Sequence, residues 1–106
     1  MKEVNGLKLP DIILGNLDLR DLTSAKRLIM PSYLGGRLDL RNLESAEGLK
    51  LPNIIGGSLN LSSLNSAVGL TLPDSIGGYL NLSSLTYAES LVFPNNIGND
   101  LCLVGL

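Results

Sequence analysis

The sequence predicts an all-β fold, a right-handed parallel β-solenoid of five 21-residue coils with two short strands per coil, and three observations lead to it. Near-copies of one segment recur every 21 residues without insertion. Leu-x-Leu pairs return every ten or eleven residues through the whole chain, too closely for an intervening helix of ordinary length. Proline and paired glycines occupy fixed columns between those pairs, where a repeating chain needs its bends.

The copies are GLKLPDIILGNLDLRDLTSAK (6–26), RLIMPSYLGGRLDLRNLESAE (27–47), GLKLPNIIGGSLNLSSLNSAV (48–68), GLTLPDSIGGYLNLSSLTYAE (69–89) and the shorter SLVFPNNIGNDLCLVGL (90–106). Met1, Leu22, Leu43, Leu64, Leu85 and Leu106 therefore share one column, a register that fits a complete small reading frame. Alternation in Leu59-x-Leu61 and in Leu70-x-Leu72 puts both leucines of a pair on one face of extended chain, so each pair is expected to be a strand. Leu64 and Ala67 supply further inward residues, and the Ile76-Gly77-Gly78 corner is expected to use the positive φ open to glycine. Pro10, Pro31, Pro52, Pro73 and Pro94 end the second strand, because proline has no N–H for a ladder. The Asp, Ser or Asn after each proline can bond its own backbone and hold the turn. Stacked coils pair each strand with its equivalent 21 residues on, giving two parallel sheets at about 4.8 Å per coil. The crossover rule predicts the right hand. No coil can bury its leucines alone, so stability comes from neighbours.

Composition agrees with a single domain over 1–106. The 44% apolar content suffices for a continuous core, and with 4% aromatics and no Trp that core must be Leu and Ile. A net charge of −2 is too small for a nucleic-acid mimic and of the wrong sign for a phosphate binder, so no nucleic-acid partner is expected. The segment MKEVNGLKLP lacks the apolar stretch of a secretion signal, and no run of 18 apolar residues occurs. The expectation is a cytoplasmic protein without membrane contact. Cys102, the single cysteine, cannot close an intrachain disulfide and reads as a small apolar residue.

The strings GLKLPNIIGG and GLTLPDSIGG, followed by LNLSSL, resemble the Leu-rich solenoid repeats of bacterial and phage proteins over essentially the whole chain. The repeat is more distantly similar to leucine-rich repeat proteins and to the coiled L domains of growth-factor receptors, a resemblance that implies a fold used for binding other proteins. The leucine-rich repeat pattern places an inward Asn three residues after its Leu-x-Leu, where this chain has Leu22, Leu43, Leu64, Leu85 and Leu106. The resemblance accordingly implies the architecture and no particular binding residue.

No constellation for catalysis is present, since acid–base chemistry needs converging titratable groups and the chain has no His and one Cys. Neither an enzyme nor a cofactor or metal site is expected. Asp18 and Asp39 share a column with Asn60, Asn81 and Cys102, and Arg20 and Arg41 share the next outward column with Ser62, Ser83 and Val104. Asp18, Arg20, Asp39 and Arg41 are therefore a candidate face for a protein partner or an acidic ligand. The competing reading is a solvated face with compensating cross-strand pairs, each worth about 0.2 to 1 kcal/mol. Outward Asn and Ser columns also admit a module binding a small ligand or a carbohydrate. The paired glycines lack the Lys-Ser/Thr of a phosphate loop.

All eight Lys and Arg, and all acids but Asp74, Glu89 and Asp100, lie in residues 1–50, so the second half loses less hydration when covered. The final run, Leu101, Cys102, Leu103, Val104, Gly105 and Leu106, carries no polar cap, whereas Lys2, Glu3 and Asn5 can cover the first coil. Leu101, Leu103, Val104 and Leu106 are therefore candidates for self-association. The expected assembly is a homodimer meeting end to end about a two-fold axis, with any other protein partner unidentified. A frayed last half-coil on a monomer is the alternative.

Overall fold

The computed structural model describes residues 9–23, 28, 30–46, 49–68, 70–86, 91–94, 96–98 and 101–102. Among them are ten strands of two residues each. They run β1 Ile12–Ile13, β2 Leu17–Asp18, β3 Tyr33–Leu34, β4 Leu38–Asp39, β5 Ile54–Ile55, β6 Leu59–Asn60, β7 Ser75–Ile76, β8 Leu80–Asn81, β9 Asn96–Ile97 and β10 Leu101–Cys102. The odd-numbered strands form one five-stranded sheet and the even-numbered strands another, each in order along the stack. Every pairing is parallel and in the register of the repeat: Ile12 pairs with Tyr33, Tyr33 with Ile54, Leu17 with Leu38 and Leu80 with Leu101. The fold is thus an all-β parallel solenoid.

One expected strand lies elsewhere. Before Pro52 and Pro73 the Leu-x-Leu pair forms no strand of the ladder; the second strand of each coil is the segment that begins two residues after the proline, as in Ile54–Ile55 after Pro52. Proline explains the shift, since a column of residues without N–H cannot donate from coil to coil. Backbone bonding resumes immediately beyond it. Asn53 N–H donates to the Ser32 carbonyl at 3.0 Å, and Asp74 N–H to the Asn53 carbonyl at 2.9 Å. Leu49, Leu51, Leu70 and Leu72 still point inward and are buried, as period-two alternation requires. Alternation in this chain marks which side chains face the core and not which backbone is paired.

The corner between the two strands needs glycine for a different reason from the one expected. None of the described glycines has a positive φ. A Cβ on Gly35 would lie 2.5 Å from the carbonyl oxygen of Leu14 in the preceding coil, and on Gly56, Gly77 and Gly98 it would meet the carbonyl oxygen of the glycine beneath. Close stacking, sealed by bonds such as Gly57 N–H to the Gly36 carbonyl at 2.8 Å, leaves no room for a side chain.

The interior is a set of aliphatic columns. Leu22, Leu43, Leu64 and Leu85 form one; Leu38, Leu59 and Leu80, Leu40, Leu61 and Leu82, and Leu34, Ile55 and Ile76 form others, all buried. Ala46 and Ala67 are buried with them. Burying one leucine fully is worth roughly 1.5–3 kcal/mol, and these columns are the main source of stability.

Candidate functional site

The even-numbered sheet carries the polar face. Its Asp/Asn column does a structural task first: Oδ1 of Asp18, Asp39, Asn60 and Asn81 accepts the backbone N–H of Arg20, Arg41, Ser62 and Ser83 at 3.0 to 3.1 Å. A short oxygen-bearing side chain that bonds the backbone two residues on is an Asx turn. Each is followed by a tight turn, in which Leu22, Leu43, Leu64 and Leu85 donate to the carbonyls of Leu19, Leu40, Leu61 and Leu82. The turn ends on the buried column of Leu22, Leu43, Leu64 and Leu85, which the column of short polar side chains thereby aims into the core.

Asp18, Arg20, Asp39 and Arg41 are brought together, but their ion pairs run along each coil and not across the coils. Arg20 Nε lies 3.3 Å from Asp18 Oδ2. Arg41 Nε donates to both Asp39 oxygens at 3.1 Å, and its Nη2 donates to Oδ2 as well. The reason is the register: Asp18 pairs directly with Asp39, so the two aspartates stand on neighbouring strands about 4.8 Å apart and each is paired with the arginine two residues on. The pair on the first coil is half exposed. Asp39 is buried, with the side chain of Arg41 still in water. The Arg41 hydrogen bond holds the Asp39 carboxyl below the ordinary aspartate range against the opposing effect of burial, with further help from the Arg20 charge. Asp39 in turn raises the Arg41 guanidinium above its usual value.

Beside this pair lies an open recess of about 370 Å³ lined by Arg37, Ser58, Asn60 and Tyr79 as well as Asp39 and Arg41. Arg37, Ser58 and Tyr79 were not singled out from the sequence, although their 21-residue spacing was visible. Two long side chains flank a short one, and that big–small–big order cuts the notch. Ser58 Oγ accepts the Tyr79 N–H at 2.9 Å, fixing its floor.

At the other end, Leu101 is 41% exposed, although the interior members of its column, Leu38, Leu59 and Leu80, are at most 1% exposed and Leu17 at the first coil is partly buried. Val92 and Phe93 of the same coil are exposed too, and they border a groove of about 250 Å³ against Leu70 and Pro73. Leu103, Val104 and Leu106 lie outside the described residues. Among the described residues, no group of His, Cys, Asp and Glu could hold a metal ion, and no helix is long and apolar enough to cross a membrane.

The chain matches no family model, and no curated protein or solved structure matches it. Two surfaces stand out, a charged face held by its own turns and an exposed apolar set at Val92, Phe93 and Leu101.

Proposed function

We propose that the chain is a cytoplasmic, non-enzymatic assembly module that joins a second copy end to end through its C-terminal coil and offers its polar face to a further protein. The observation that carries this reading is Leu101, a core-column leucine whose interior equivalents are fully covered. Strand β10 pairs with β8 on one side only, and an apolar surface beside unpaired strand groups is a template for another chain. Solenoid ends need cover of this kind. The scarcity of charge in the second half supports the same end, because a neutral surface is cheaper to dehydrate. The likeness of the repeat to Leu-rich solenoid repeats of bacterial and phage proteins, and to leucine-rich repeats that bind proteins, adds support by analogy.

Molar mass by light scattering over a hundredfold concentration range tests it. A dimer is expected, and a folded monomer for the Leu101→Lys, Leu103→Lys variant. A wild type that stays monomeric throughout overturns the reading.

The recess at Arg37 and Tyr79 favours a second reading, a module for a small polar or carbohydrate ligand. The Asn60 oxygen is committed to a turn, which leaves its amide group and Arg37 as donors. The two readings separate cleanly: this one requires stabilisation that depends on added ligand, the first stabilisation that depends on protein concentration.

A further inference from the structure

The glycine corner gives the solenoid a direction. In each stacked coil the missing Cβ points toward the coil before it: a Cβ on Gly35 meets Leu14, one on Gly56 meets Gly35, one on Gly77 meets Gly56 and one on Gly98 meets Gly77. Each would strike a backbone carbonyl, which cannot swing aside as a side chain could. The first member of this column is Leu14, the one position of the five that is not glycine. It is 80% exposed, and by equivalence with the glycines stacked above it in the column its Cβ is directed to the face where a preceding coil would stack. Gly15, the next residue, likewise has nothing within 4 Å of a Cβ, whereas Gly36, Gly57 and Gly78 are crowded by the coil below.

We infer that Leu14 closes the N-terminal face of the solenoid to any further coil, so that the partner this fold admits by stacking is a second copy presenting its own C-terminal end. The C-terminal face is open in the same terms, because its corner presents the Gly98 carbonyl side and the Cβ direction of the column points away. Two C-terminal faces can therefore meet without a clash in this column. A C-terminal face brought against an N-terminal face would drive the Leu14 side chain into the Gly98 carbonyl. Head-to-tail contacts do not close and generate filaments, whereas a two-fold contact closes at two chains. Leu14 is thus a residue that limits assembly, and exposed strand edges at the N-terminal end are kept from a continuing ladder by one side chain. The block at the N-terminal face stands on the stacking geometry alone; the choice of a second copy as partner rests on the end-to-end assembly proposed above.

Inserting a copy of residues 48–68 between Asn5 and Gly6 places a coil of this geometry directly against Leu14. Thermal unfolding of the full chain with and without the insert, in the native and the Leu14→Gly background, reads the block without reference to dimerisation. In the Leu14→Gly background the added coil should raise the unfolding midpoint by roughly 5 °C or more, and in the native background it should raise it little or not at all. An equal gain in both backgrounds overturns the inference, and so does no gain in either, since Leu14 would then not be what closes the face. In light scattering without the insert, the wild type should stop at two chains and Leu14→Gly should grow beyond two. A monomeric wild type would remove the end-to-end reading while leaving the insertion result to decide the role of Leu14.

Discussion

At the scale of single residues, the Asp/Asn column separates two jobs that one side chain performs. Asp39→Asn keeps the oxygen that holds the turn, as Asn60 and Asn81 do in the next coils, and should cost little in urea unfolding. Asp39→Ala removes that acceptor and leaves the Arg41 N–H without it, for a loss of about 1 kcal/mol. The ion pair contributes separately through pH. Because the folded Asp39 titrates below its unfolded value near 3.9, its contribution is fully present above that value and disappears as pH falls through the lower folded one. The acid limb of stability against pH should therefore be shallower in Asp39→Asn than in wild type, by less than about 1 kcal/mol because water screens Arg41. The charges themselves were legible in the sequence, and so was their gathering on one face. Their in-coil pairing was not, because column spacing says which residues are neighbours but not which rotamers they take. The Asx signal, a short polar residue two positions before Arg or Ser in four coils, was available and would have found the turns.

At the scale of the element, each strand is only two residues long and stands by virtue of the strands above and below. Leu59→Ala, in the central β6, should cost about 2–5 kcal/mol in chemical denaturation, the range for truncating a buried leucine. Leu14→Ala, at an exposed site, should change stability by less than about 0.5 kcal/mol. Gly56→Ala should cost more than about 1 kcal/mol, because a single methyl group must separate two stacked backbones. The period, the inward leucines and the even-numbered strands were all readable from alternation. The odd-numbered strands were not, since Tyr33–Leu34 and Ser75–Ile76 show no alternating pair long enough to stand out. Their pairing follows from where proline forbids a ladder, a rule about backbone donors that a hydrophobic pattern does not carry. Glycine in the corner was legible as a bend, but its cause is contact between coils, which becomes visible only when copies are stacked.

At the scale of the whole molecule, a nearest-neighbour stack predicts that coils can be removed one at a time. Deleting residues 48–68 joins Glu47 to Gly69 in register, and the shortened chain should remain folded with a lower urea midpoint and a smaller m-value. Loss of all cooperative unfolding in that variant would mean that the stack has a unique central coil. The same constancy of register shapes the route to the fold. Every ladder contact joins residues 21 apart, as Ile12 with Tyr33 and Ile76 with Ile97. The chain thus closes a loop of one size at each step, and loop-closure entropy depends only weakly on size in any case. Docking of any two adjacent coils should then serve as a nucleus, with later coils adding by zippering. Removing a coil should leave the refolding rate nearly unchanged while unfolding accelerates, so chain length in this fold sets persistence and not speed of formation.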